Sequence, residues 1–182
     1  MILYVNACVR KYSRTKRLAD KLLEKLNNTV EEVKLSEISF PKVDQDFLIH
    51  RDELIEAGNF VDPLFDLAHQ FAAADVIVVA APYYDLSFPA SLKQYLEQIN
   101  VVGITFRYSD AGIPVPLCNA KKLYYITTAG GNYVPDEFGF GYVRALAEGY
   151  YGIKDVELIR AVGLDIVGAN VEGIMKEAED RI

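Results

Sequence analysis

At 182 residues, half of them hydrophobic and a quarter charged, the chain has the size of one ordinary domain with a sizeable core, which excludes disordered and fibrous classes. A formal net charge of −7 repels phosphate backbones and anionic surfaces, so nucleic acid and membranes are set aside as partners. Two cysteines, Cys8 and Cys118, with no CxxC pair and no metal-ligand cluster, suit a reducing, cytoplasmic setting and a site without metal.

The run Ile2 to Val5, ending in the polar Asn6, reads as a central parallel strand buried on both faces. It has neither the basic n-region nor the apolar length of a secretory signal, and no later run approaches membrane-spanning length. From Thr15 to Leu26 the positions Leu18, Ala19, Leu22, Leu23 and Leu26 recur at helical spacing, with Ser13 and Thr15 both suited to cap the helix. Val30 to Leu35 reads as a weaker strand near the sheet edge. A polar connection over Ser36 to Asp62 holds a short helix around Phe47 to Ala57.

Pro63 opens a helix through Ala74, and Val76 to Ala81 is the clearest buried strand in the chain. Pro89 starts another helix, with Leu92, Tyr95, Leu96 and Ile99 on one face. Gly103 to Asn119, rich in Gly and Pro with a strand-like piece at Ile104 to Tyr108, reads as a surface flap and not as a layer of core. Lys122 to Thr128 is a fourth strand, Tyr142 to Tyr151 a helix, Val156 to Val162 a fifth strand, and Val167 to Glu179 a final helix. Alternation of this kind demands a parallel sheet with right-handed crossovers. The expectation is a single three-layer α/β/α domain over 1–182, doubly wound, with five parallel strands in the order 2-1-3-4-5.

In such a sheet ligands bind beyond the carboxyl ends of the strands, where the strand order reverses. Three loops converge there. The first, Cys8 to Thr15, sets hydroxyls, free amides and the cations Arg10, Lys11 and Arg14 at the start of a helix, which together suit an anion. It equally suits a plain helix cap with solvated cations, and it is neither a P-loop nor a dinucleotide fingerprint. The second, Pro82-Tyr83-Tyr84-Asp85-Leu86-Ser87-Phe88-Pro89, places aromatics directly after the most buried strand, as a flat aromatic ligand would require. The third, Thr128-Ala129-Gly130-Gly131, lets main chain approach a ligand and aim amides at it.

With these loops in view, the sequence resembles the FMN-dependent NAD(P)H:quinone oxidoreductases and azoreductases of the flavodoxin-like fold. The matching segments are Tyr12-Ser-Arg-Thr15, Pro82 to Leu86 before Leu92-Lys93, Gly103-Ile-Thr-Phe-Arg-Tyr108, and Thr128 to Gly131 followed by Tyr133. The resemblance implies FMN as cofactor and NADH or NADPH as co-substrate. It places the FMN phosphate at Ser13, Arg14 and Thr15 with help from Arg10, and the ring along Pro82, Tyr83, Tyr84, Asp85 and Leu86 and the segment Thr128, Ala129, Gly130, Gly131 and Tyr133. It also implies a homodimer in which the flap, with Phe106 and Tyr108, helps enclose a small acceptor such as a quinone, azo or nitroaromatic compound. The implied cycle is ping-pong hydride transfer at the flavin, with no protein side chain as the catalytic group. Tyr83, Asp85 and Leu86 stand where the family pattern has Met, Asn and Phe, so the ring would meet a different polarity.

Two other functions share parts of this pattern. Cys8, five residues, then Arg14 and Thr15 match the signature of low-molecular-weight tyrosine phosphatases, in which a thiolate attacks phosphorus. That loop lacks the usual glycine, and the only Asp-Pro pair, Asp62-Pro63, lies mid-chain. A flavodoxin-type electron carrier would share the fold but not the long flap. His50 and His69 lie away from the three loops and carry no role in any of these readings.

Overall fold

The computed structural model describes all 182 residues. Its strands are β1 (Ile2–Asn6), β2 (Val30–Lys34), β3 (Val76–Ala80), β4 (Phe106–Tyr108), β5 (Pro114–Pro116), β6 (Lys122–Thr128) and β7 (Asp155–Ala161). The helices are α1 (Arg14–Leu26), α2 (Gln45–Glu56), α3 (Asp66–Ala73), α4 (Ala90–Ile99), α5 (Phe140–Leu146) and α6 (Val171–Glu179). Five strands form one parallel sheet in the order β2-β1-β3-β6-β7, which is the expected 2-1-3-4-5 once the two short flap strands are counted.

Strand periodicity divides the core. Leu3, Val5, Ile77, Val79, Leu123 and Tyr125 face one way, against Leu92, Tyr95 and Ile99 of α4 and Val143 of α5. Ile2, Tyr4, Val78, Ala80 and Ile126 face the other, against Leu18 and Leu22 of α1 and Met175 of α6. Each fully buried Leu, Ile or Val contributes about 1.5–3 kcal/mol, enough to fix the register, because a one-residue slip would turn every one of them to the wrong face. In the edge strand β2 only Val33 is buried, and its Glu and Lys neighbours discourage further pairing.

Several expected boundaries move. Leu35 leaves the strand to enter a single 3-10 turn, Leu35–Glu37, where it is buried. The segment after Asp62 starts as a 3-10 turn, Pro63–Phe65, capped by the Asp62 carboxylate, before α3 begins at Asp66. α5 gives way at Ala147–Tyr151 to a π-helical turn that ends on left-handed Gly152. The extra residue per turn lets Tyr151 enter the core while the adjacent Tyr150 faces the flap. α6 starts four residues later than its periodicity suggests, because the Asn170 side chain caps it by accepting from the Gly173 amide, and Val167 is fully exposed.

The largest correction concerns the flap. Its strands β4 and β5 pair antiparallel, and the tip is exposed, but Ile104, Thr105, Phe106 and Cys118 are buried. Thr105 Oγ1 donates to the Ile99 carbonyl at 2.7 Å, and the Phe106 ring stacks on Tyr150 with centroids 4.4 Å apart. Gly103, at φ +98°, admits this docking: a Cβ there would lie 2.6 Å from the Phe60 ring. The base of the flap is therefore core, because Phe60 and Tyr150, distant in sequence, supply a pocket for apolar residues that no local pattern announces.

Candidate functional site

At the carboxyl ends of β1, β3 and β6 lies a cleft of about 360 Å3, within the range of roughly 300–1,000 Å3 common for small-molecule sites. It sits at the reversal between β1 and β3, as the topology requires.

One wall is the loop into α1, contributing Arg10, Tyr12, Ser13, Arg14 and Thr15. Ser13 caps the helix, its Oγ accepting from the Lys16 amide at 3.2 Å. Accepting leaves its own O–H free to donate, so capping and ligand binding are compatible. The amides of Arg14 and Thr15 belong to the first turn, where no helical carbonyl reaches them, and the helix dipole adds partial positive charge. Thr15 is buried, and its hydroxyl bonds that of Thr128 at 2.7 Å, tying this wall to the end of β6. Of the cations, Lys16 pairs with Asp20, Arg17 with Glu172 and Glu179, and Arg14 with Asp165, whereas Arg10 has no carboxylate within salt-bridge range.

The second wall is Pro82, Tyr83 and Tyr84. Tyr83 is anchored by its amide, which donates to the Thr128 carbonyl at 3.1 Å, and its hydroxyl is buried without a partner. That burial pushes its phenol pKa up. Tyr84 and Ser87 exchange amide-to-carbonyl bonds of 2.9 and 2.8 Å across a two-residue turn. Asp85 and Leu86 occupy the turn at φ 49° and 69° and are exposed outside the cleft.

The third wall is Thr128, Ala129 and Gly130 from the end of β6. Gly131 and Tyr133 are exposed and do not reach it. Neither do Phe106, packed inside this chain, or Tyr108, half-exposed on the flap. Tyr12, quoted in the matching segment but given no role there, lines the cleft, as do two residues not singled out in the sequence, Leu164 and Asp165. A signal for the last two existed: Gly163-Leu164-Asp165 follows β7, and the rule about carboxyl ends applies to that strand as well.

The arrangement offers donors and cations for an anion at one end and flat aromatic and aliphatic walls for a planar group at the other. It does not build a thiolate nucleophile. Cys8 lies outside the cleft lining, its amide donating to Asn6 Oδ1 at 2.9 Å, and burial pushes its thiol pKa up although Ser13 partly opposes this. A phosphatase nucleophile needs the reverse shift. No helix is long and apolar enough to cross a membrane.

Comparison with known proteins agrees with this geometry. The flavodoxin-like fold family model matches residues 1–182. An FMN-dependent NADH:quinone oxidoreductase of Clostridium perfringens is 36% identical over 193 residues, covering 99% of this chain and 94% of its own. Its counterpart from Clostridium beijerinckii is 37% identical over 191 residues, with the same coverage of 99% and 94%. Among solved structures, an azoreductase from Bacillus anthracis superposes with a TM-score of 0.84 at 25% identity, covering 99% of this chain and 95% of the other. The chain belongs to the flavodoxin-like fold family and, within it, to the family of the FMN-dependent NADH:quinone oxidoreductases.

Proposed function

We propose that the cleft holds FMN and that the chain is an FMN-dependent NAD(P)H oxidoreductase, moving two electrons from a nicotinamide to a small acceptor such as a quinone, azo or nitroaromatic compound. The observation that carries this is the meeting, in one cleft at the strand-order reversal, of an anion cradle and an aromatic wall. When bound, FMN would supply the two-electron redox chemistry between nicotinamide and acceptor.

The chain's own residues bind and orient. The Arg14 and Thr15 amides, the Ser13 hydroxyl and the Arg10 and Arg14 side chains hold the phosphate. Pro82, Tyr83 and Tyr84 flank the ring, and the Thr128 to Gly130 segment closes its polar edge. Asp85, Leu86, Gly131 and Tyr133 rim this site from outside the cleft. The relatives' names favour NADH as first co-substrate.

Residues 1–182 act as a single domain in the cytoplasm, a setting supported by the two free thiols. The domain pairs as a homodimer, in which Tyr108 of the flap reaches the acceptor side of the partner's cleft. Exposed Tyr108, Ile113 and Leu117 on the flap, with Val102 just before it, support such a contact. Ile113→Asp is expected to shift a dimer to monomer in sedimentation; an unchanged mass would remove the flap from the interface.

The test is spectroscopic. Purified protein mixed with FMN is expected to retain flavin bands through gel filtration, to bleach under anaerobic NADH and to recover on adding a quinone. Ser13→Gly removes the hydroxyl while keeping most of the cap, so it should cost only a few tenths of a kcal/mol in stability but about tenfold in FMN affinity. A colourless protein, or equal affinity in the variant, would overturn the phosphate assignment.

A further inference from the structure

Among the residues that line the cleft there is one carboxylate, Asp165. Its Oδ1 accepts from Arg14 Nη1 at 2.8 Å, across 151 positions of sequence. Three backbone bonds fix the segment that presents it: the amides of Gly163, Leu164 and Asp165 donate to the carbonyls of Gly131, Ala129 and Gly130 at 3.0, 3.2 and 2.9 Å. Gly130 leaves room for this carboxylate, since a Cβ there would displace the Asp165 side chain from its present position. A negative charge is thus built into a wall whose other groups attract anions.

Resting on the FMN reading of the cleft, we infer that Asp165 is an internal counter-anion that the ligand's phosphate displaces from Arg14. It thereby sets how strongly the site prefers a phosphorylated ligand over its dephosphorylated form. The exchange runs toward the ligand for two reasons. The Arg14 and Asp165 side chains are 42% and 70% exposed, so their attraction is screened and the freed carboxylate passes straight into water. A phosphate, by contrast, takes a guanidinium through two parallel charge-assisted bonds, where Asp165 makes one. Before the ligand arrives, the pair keeps the guanidinium over the cleft. Arg10, with no carboxylate of its own, attracts the anion without exchange.

The experiment titrates flavin-stripped protein with FMN, with riboflavin and with inorganic phosphate, following flavin fluorescence for the first two and heat for the third. Asp165→Asn keeps the shape against Gly130 and removes the charge. It is expected to tighten FMN and inorganic phosphate about two- to fivefold, the range of an exposed ion pair, while riboflavin binding stays the same. In an Arg14→Ala background the gain should vanish, because there is no guanidinium left to release. Equal or weaker FMN and phosphate binding in Asp165→Asn, a parallel change in riboflavin, or a gain that survives without Arg14 would each overturn the exchange. If the unaltered protein quenches neither flavin, the FMN reading fails on its own, and the phosphate arm still decides whether Asp165 competes for Arg14.

Discussion

The loop into α1 and the flap after α4 both present polar residues among scattered aromatics, yet they are built in opposite ways. In the loop, Val9 and Tyr12 are 61% and 85% exposed, and the donors of the first helical turn are left without helical partners. In the flap, Thr105 and Phe106 are buried and their polar and aromatic edges are matched inside the chain. An anion site keeps its backbone donors unsatisfied and its cations at most loosely paired until the ligand arrives. A segment that carries a surface into place must be held by packing.

The largest expected effect breaks the flap. Phe106→Ala removes the ring that stacks on Tyr150 and should cost about 3–5 kcal/mol in denaturant unfolding. FMN affinity of the folded protein should stay unchanged, because Phe106 is not part of the cleft lining. A variant of normal stability with weakened FMN would invert the comparison.

Alkaline pH should act on the buried side of the same contrast. Burial pushes the Cys118 thiol, which donates to the Thr105 carbonyl beneath the flap, up to about 12. Burial also raises the phenols of Tyr95, Tyr125 and Tyr151. The unfolded chain releases these protons first, so their stabilising contribution is whole below about pH 8.5 and is lost as pH climbs toward the folded values. Denaturant midpoints at pH 7.5, 9.5 and 11 should fall in that order, and a flat series would mean these groups ionise without unfolding.

The smallest effect sharpens the contrast at the turn beside the cleft. Leu86, at φ 69° and 44% exposed, carries left-handed strain for only partial packing in return. Leu86→Gly should raise stability by up to about 1 kcal/mol, the relief of strain less the added chain entropy. A loss would show that the half-buried leucine side chain contributes more by packing than the turn costs in strain.

Much of this molecule follows from local pattern. The apolar runs at Ile2 to Val5 and Val76 to Ala81 determined central parallel strands, and their alternation with amphipathic helices determined the sheet order. The location of the cleft and its lining by Arg10, Ser13, Arg14, Thr15, Pro82, Tyr83, Tyr84, Thr128, Ala129 and Gly130 were legible because topology forces those loops to one edge.

Only the tertiary structure decided what depends on partners far away in the chain. It turned Asp85 and Leu86 outward on a tight turn, set the Asp165 carboxylate against Gly130, and sank the flap's base between Phe60 and Tyr150. Periodicity records which face of one element is apolar. It carries no record of which charge or ring another element brings opposite, and for Arg14 that partner stands 151 residues downstream.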